Sequence, residues 1–178
     1  MVEYELACWS KGDLSLVSTA YFAGFLLASV LFLPMADWVG RKCMTLAGLI
    51  LQLVSHILIF VIPGSWYLFV FAAIIGIRSP MASHVTFMLL VETISPRLRP
   101  YFSLMVNGFD SFITCILAIV YEYLGSWKPW FVGVSVLILL LIIADFFYLP
   151  ESPRFHMAQG NFQKARKSFA WIARINRR

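Results

Sequence analysis

Three ionisable residues interrupt long apolar stretches of this 178-residue sequence: Arg78, His84 and Asp110. Charge inside such a stretch is costly and usually has a partner or a function. Arg78 and Asp110 lie near the middle of consecutive stretches, so we predict that the two can pair. Two interpretations stay open: a buried ion pair that only neutralises both charges, or a charge pair facing a substrate cavity. His84 could relay protons, or it could be a packing residue that hydrogen-bonds to Ser79 or Ser83.

A second set of charged residues lies in three short segments that contain glycine or proline. These candidate residues are Asp37, Gly40, Arg41 and Lys42 in the first segment, Glu92 and Arg99 in the second, and Glu151 and Arg154 in the third. Glycine permits a tight turn between two helices. Asp37 could pair with a base or cap the following helix, where the helix dipole favours a carboxylate. The prolines of Pro150-Glu-Ser-Pro-Arg154 end a helix, so Glu151 and Arg154 project beyond it.

The composition indicates lipid rather than water as the solvent of these segments. The chain is 61% hydrophobic and 13% charged, whereas soluble domains are roughly 45–50% apolar and about 25% charged. Five stretches are each long enough to cross about 30 Å of hydrocarbon at about 1.5 Å per residue: 14–36, 43–62, 66–91, 101–121 and 129–149. Short connections make consecutive helices antiparallel neighbours. We therefore predict an all-α membrane protein with about five transmembrane helices across residues 14–149.

Basic residues are distributed unevenly between the two ends of these predicted helices. With the N-terminal segment 1–13 outside, the bases on the inner side are Arg41, Lys42, Arg97, Arg99, Arg154, Lys164, Arg166, Lys167, Arg174, Arg177 and Arg178. Only Lys11 and Lys128 are then outside. The positive-inside rule therefore predicts an outer N-terminus and an inner C-terminus. It also accounts for the net charge of +5 without a nucleic-acid partner.

Residues 150–178 form the predicted inner segment. Gly160 and Asn161 mark a break and a candidate N-cap. Apolar residues then recur at helical spacing with bases between them: Phe162, Ala165, Phe169, Ile172 and Ala173. This pattern predicts a basic amphipathic helix on the inner membrane surface or against the inner ends of the bundle. A solvated charged helix is the alternative.

Other kinds of chemistry have no motif in the sequence. Cys8, Cys43 and Cys115 are odd in number and lack metal-ligand spacing, so we predict neither a disulfide framework nor a metal site. The sequence contains no phosphate-binding loop, dinucleotide fingerprint or catalytic constellation. We therefore expect no cofactor and no enzymatic activity.

The three loop segments, in this order and with these spans between them, resemble the major facilitator superfamily. The similarity is to its sugar porter and organic ion transporter branches, and the organic ion branch fits better. That branch places an acid, a proline four residues on and an arginine seven residues on, as in Glu92, Pro96 and Arg99. It also has stretches similar to residues 2–8 and 18–24. The resemblance covers essentially the whole chain and implies helices 2–6 of a twelve-helix fold, a partial N-terminal bundle.

Members of this family transport by rocking two six-helix halves around a midplane site. The resemblance therefore implies a gradient-driven, alternating-access transporter of an organic ion or other small solute, or an N-terminal fragment of one. Its partners would be the bilayer, the solute and the missing half. The chain departs from the family pattern at Leu33, where glycine is usual, and at Trp38 and Ala72, where bases are usual.

A second function is compatible with the same residues. A truncated, non-transporting subunit of a larger membrane complex would use the surface left by the missing helices. Gly24, Ser29 and Arg78 on such a surface would need a protein partner rather than lipid. An incomplete sequence of an ordinary transporter is the third explanation.

Overall fold

The structure, a computed structural model, describes residues 10–62, 64, 66–94, 97–124, 128–149 and 151–175. Its helices are α1 (Lys11–Val39), α2 (Arg41–Val61), α3 (Tyr67–Ser79), a π-helical turn (Pro80–His84), α4 (Val85–Thr93), α5 (Arg99–Leu124), α6 (Lys128–Tyr148), α7 (Pro153–Ala158) and α8 (Phe162–Ile175). No strand occurs within those ranges.

Five helical stretches are long and apolar enough to cross a membrane: Lys11–Val39, Arg41–Val61, Tyr67–Glu92, Arg99–Val120 and Lys128–Phe147. The predicted all-α membrane fold is therefore confirmed. Their bounds differ from the predicted stretches by a few residues at each end. Residues 1–9 of the predicted outer segment 1–13 lie outside the described part of the structure. Helix α1 begins at Lys11, which is within that predicted segment.

Helix α1 begins at Lys11 because Ser10 and Asp13 form a reciprocal capping box. The Ser10 hydroxyl accepts from the Asp13 N–H at 3.2 Å, and the Asp13 carboxylate accepts from the Ser10 N–H at 3.2 Å. Two otherwise unsatisfied backbone donors of the first turn are thereby paired. The helix ends at Gly40, whose φ of 112° an L-residue rarely adopts.

Two glycines allow α1 and α3 to pack with their backbones in contact. A Cβ added to Gly24 would overlap the carbonyl oxygen of Ala73, and one added to Gly76 would overlap that of Tyr21. In lipid, close packing of small residues replaces the hydrophobic effect as the force that joins helices. This makes α1 and α3 the most extensively packed helix pair in the described chain.

A π-helical turn at Pro80–His84 separates α3 from α4 within one membrane span. Pro80 has no N–H to continue the α-helical ladder, and the wider turn accommodates its ring. Helix α2 packs closely on this turn, since a Cβ at Gly48 would lie 2.7 Å from the Ala82 nitrogen. The π turn thus sets the position of α4 and of Glu92 near its end.

A small apolar cluster of Ala36, Met44, Met81 and Val85 joins α1, α2, the π turn and the start of α4. Leu33 packs against this cluster. Of the other two departures from the family pattern, Ala72 is buried and Trp38 is 82% exposed.

The remaining helices are less embedded in the bundle. Helix α6 packs on α2, whereas α5 makes its principal contacts with α6 alone. Described side chains of α5 are mostly exposed, including the polar Asn107 and Ser111. Helices α7 and α8 pack on each other beyond the end of α6.

Candidate functional site

Glu151 caps the N-terminus of α2 across the tight turn at Gly40. Its Oε1 accepts from the Arg41 N–H at 3.0 Å and the Lys42 N–H at 3.2 Å, and also from the Ser152 N–H at 3.1 Å. A carboxylate is favoured here by the free N–H groups and the dipole of the helix. The φ of 112° at Gly40 favours glycine, and a Cβ there would also lie 2.7 Å from Glu151 Oε2 and displace that carboxylate.

Glu92, at the end of α4, lies at the centre of a group of charges. It forms an ion pair with Arg41, and its Oε2 accepts from the Ser152 hydroxyl at 2.6 Å. Arg154 approaches its other oxygen at 3.7 Å. The Glu92 side chain is 12% exposed and that of Arg41 17%, whereas Arg154 is 66% exposed. The Arg41 pair is therefore the shielded one, and the Arg154 pair is largely screened by solvent.

Asp37 and Lys42 flank this centre. Asp37 accepts from the Arg41 guanidinium at 3.0 Å, four residues along the chain. Of the two roles predicted for Asp37, the structure therefore shows pairing with a base. The N-terminus of α2 is capped by Glu151 instead. Lys42 donates to the Phe146 carbonyl at 2.9 Å and lies 5.9 Å from the centre of that ring. We call the set Asp37, Arg41, Glu92, Glu151, Ser152 and Arg154 the charged cluster.

Arg99 begins α5 beside the charged cluster without joining it. Its buried Nε has no hydrogen-bond partner among the described residues. With Glu92 and Arg154 it lines a cleft of about 260 Å³. The cleft is thus lined by two arginines and one glutamate.

Ser152 was not among the predicted site residues, although it is fully buried and bonded to Glu92. Its position between Glu151 and Pro153, as the N-cap of α7, was a signal in the sequence. Only the fold, however, brings Glu92 to its hydroxyl.

The charged cluster joins three connections that are distant in sequence: those after α1, α4 and α6. It contains acids and bases in contact, together with the Ser152 hydroxyl, which donates to Glu92. Within the described residues, no group of three or more His, Cys, Asp or Glu side chains could hold a metal ion. The arrangement can hold helix ends together, and it can release them if its ion pairs exchange partners.

Of the two mid-span charges that were predicted to pair, the structure describes the side chain of Arg78. Arg78 donates to Gln52 of α2 at 2.9 Å. The Asp110 side chain lies outside the described part of the structure, so the Arg78–Asp110 pair stays a prediction. His84 is exposed, 3.2 Å from the Ser83 hydroxyl, with its ring 5.7 Å from that of Phe25. This geometry agrees with a hydrogen-bonded histidine and leaves the proton-relay prediction untested.

Polar residues of α2 were missed by the sequence interpretation. Gln52 and His56, one turn apart, both face neighbouring helices. The buried His56 lies 3.1 Å from the Ser135 hydroxyl of α6, and its ring packs on that of Phe131 at 5.0 Å. Polar groups at i and i+4 within an apolar run were the available signal.

Five membrane-spanning helices joined by short connections define an integral, multi-pass membrane protein. Residues 3–177 match the family described as "Sugar (and other) transporter". The chain belongs to this transporter family, and the resemblance to the major facilitator superfamily is confirmed.

Individual relatives agree with the family match. A Beta-alanine transporter of Drosophila melanogaster is 27% identical over 98% of this chain and 29% of its own length. Organic cation/carnitine transporter 4 of Arabidopsis thaliana is 26% identical over 99% of this chain and 34% of its own length. Solute carrier family 22 member 2 of Oryctolagus cuniculus is 25% identical over 99% of this chain and 32% of its own length. The chain thus spans about a third of the length of the curated relatives that it matches.

Proposed function

We propose that this chain is the N-terminal five-helix part of a gradient-driven, alternating-access transporter of an organic ion or other small solute. The observation that carries the proposal is the charged cluster, in which Glu92 joins three connections at one end of the bundle. The family membership and the names of the relatives support the solute class.

The charged cluster would act as part of the gate on the inner side. In one state its ion pairs hold the ends of α2, α4 and α7 together, as they do here. In the other state Arg154 would leave Glu92 and pair with a group of the second half. Arg154 suits such an exchange because it is exposed and its contact with Glu92 is long. The shielded Arg41–Glu92 pair would meanwhile keep α2 and α4 together.

Uptake by the native species tests this role. Proteoliposomes holding that species should accumulate β-alanine, carnitine or a small organic cation down an imposed gradient. Glu92→Gln should slow uptake, whereas the matched carboxylate change Glu122→Gln, at an exposed position of α5, should not. Equal uptake by the two variants would contradict a gating role for the cluster.

The orientation is part of the proposal. We propose an outer N-terminus and an inner C-terminus, with the basic helix α8 at the inner membrane surface. Supporting features are the exposed Phe162 and Phe169 of α8 and the bases between them, Lys164, Arg166 and Lys167. Epitopes fused to the two termini of the protein in intact cells test the sidedness. Only the N-terminal epitope should be reached by antibody before permeabilisation.

Helix α5 favours a second candidate function, that of a non-transporting subunit. Asn107 and Ser111 are exposed on α5, and this helix makes its principal contacts with α6 alone. Polar groups of this kind are better placed against protein than against lipid. The intact mass of the native protein separates the two functions. A species near 20.3 kDa that co-purifies with other membrane proteins and moves no solute would establish the subunit and refute the transporter.

A further inference from the structure

Helix α8 packs on α7 through small residues and leaves its aromatic side chains exposed. Its buried residues include Ala165 and Ser168, and its principal contacts are with α7. Phe162 is 73% exposed, Phe169 51% and Trp171 37%. Large apolar side chains that stay exposed together mark a surface for a membrane or a protein. The packing on α7 therefore leaves a surface of α8 that is free to bind a partner.

Bases lie between these aromatic residues along α8. Lys164, Arg166 and Lys167 are exposed, and none of them belongs to an ion pair among the described residues. Residues 152–178 contain no acid, and their seven bases are Arg154, Lys164, Arg166, Lys167, Arg174, Arg177 and Arg178. The positive charge of α8 thus has no acid nearby in the sequence to compensate it. A surface of this kind attracts a partner that carries negative charge.

The end of α1 shows where α8 begins relative to the membrane. The side-chain nitrogen of Gln159, just before α8, lies 3.5 Å from the Trp38 carbonyl oxygen. Helix α1 is a candidate membrane span that ends at Val39, so α8 begins at the level where a span ends. Trp38 is 82% exposed, and exposed tryptophan is typical of the boundary between membrane and water. Lipid headgroups are therefore within reach of α8.

Aromatic rings and bases on one surface restrict the partner to a group that is both apolar and anionic. An anionic phospholipid meets both requirements, since its phosphate accepts from lysine and arginine and its acyl chains accommodate the rings of an interfacial helix. A neutral lipid would satisfy the rings alone, and a soluble polyanion the bases alone. The level of Trp38 favours the lipid over an acidic protein surface.

We propose that α8 binds anionic phospholipids of the membrane, with Lys164, Arg166 and Lys167 at the phosphates and Phe162 and Phe169 at the acyl boundary. The inference rests on the inner-surface position of α8 given under the proposed function. It adds the charge of the lipid that this helix selects. Anionic lipids are concentrated in the cytoplasmic leaflet of many membranes.

Lipid binding by the full chain in detergent micelles tests the inference. The probes are phosphatidylglycerol and phosphatidylcholine that carry the same dansyl group on an acyl chain, and energy transfer from tryptophan measures their association. The part of the transfer that is lost in Trp171→Phe reports lipid at α8. By this part of the signal, phosphatidylglycerol should bind at least about tenfold more tightly, because each base near an anionic surface contributes roughly fivefold. Salt at about 1 M should remove most of the difference. Equal affinity for the two lipids at low salt would overturn the proposal.

Two variants that remove the same charge locate the binding. Lys164→Gln with Lys167→Gln should lower the affinity for phosphatidylglycerol at least about fivefold and leave that for phosphatidylcholine unchanged. The control is Lys11→Gln with Lys128→Gln, at exposed positions outside α8, and it should alter neither affinity. Because all four side chains are exposed, neither variant should disturb folding. Equal effects of the two variants would refute a site on α8.

A third variant tests the aromatic contribution. Phe162→Ser with Phe169→Ser should weaken both lipids to a similar degree, because the acyl chains of the two probes are identical. Undiminished affinity for both lipids would contradict contact between these rings and the acyl region.

Failure of the lipid site and failure of the proposed transport function give different results. The binding assay needs neither a solute gradient nor the second half of a transporter. Equal binding of the two lipids together with intact solute uptake would refute the lipid site alone. A preference for phosphatidylglycerol together with absent uptake by the native species would refute the transport function alone.

Discussion

Replacing Glu92 by glutamine tests whether the charged cluster stabilises the bundle, and the structure sets the expected magnitude. Removing one partner of a fully buried ion pair costs about 3–5 kcal/mol. Two features reduce this cost: Arg41 keeps its contact with Asp37, and glutamine still accepts one hydrogen bond. What remains is roughly the loss of one charge-assisted hydrogen bond, about 1.5–3 kcal/mol. We expect Glu92→Gln to lower the free energy of unfolding by about 2 kcal/mol, roughly 30-fold in the folding equilibrium.

Reversible unfolding in mixed micelles, followed by circular dichroism, measures this change. Glu122→Gln is the control and should lie within about 0.5 kcal/mol of the parent chain. Double-mutant cycles then divide the effect between partners. The coupling of Glu92 with Arg41 should exceed 1 kcal/mol, whereas that with the exposed Arg154 should be about 0.2–1 kcal/mol. Coupling that is equal for both arginines would refute the reasoning from burial.

Three further substitutions are tested by the same unfolding measurement. Gly40→Ala forces a side chain into a positive φ and against Glu151, so it should cost about 1–3 kcal/mol; no loss would contradict the required glycine. Ser152→Ala removes a buried hydroxyl from a carboxylate and should cost about 1.5–3 kcal/mol, and a neutral result would mean that this bond adds nothing. Gly76→Ala should destabilise the α1–α3 contact by at least about 1–3 kcal/mol. Its matched control, Gly108→Ala, meets no atom within 4 Å and should stabilise by about 0.5–1 kcal/mol; similar effects at both glycines would argue against close packing.

Much of the fold was predictable because in lipid the solvent imposes the secondary structure. A run of apolar residues that is long enough to span hydrocarbon must satisfy its backbone internally, and a helix does so within one segment. The break at Pro80 was also predictable in position, since proline lacks the donor. The π form of this turn and its close contact with Gly48 of α2 were seen only in the structure.

The candidate site was predictable in its residue types and less so in its contacts. Glu92, Arg41 and Arg154 belong to segments that the sequence marks by charge and by proline or glycine. The partner of each was not readable, because Glu151 rather than Asp37 caps α2. The hydrogen bond from Arg78 to Gln52 was not readable either, because Gln52 carries no charge that marks it as a partner. The pairing of Arg78 with Asp110 stays a prediction.

The sequence by itself determined the helical class, the spans and the family, because these follow from composition, span length and local motifs. Only the tertiary structure decided which charges meet at the charged cluster and that Ser152 belongs to it. Side chains separated by more than 50 residues become neighbours through helix packing, and packing depends on small residues such as Gly24 and Gly76. Spacing along the chain carries no record of those distances, which is why the contacts of Glu92 required the fold.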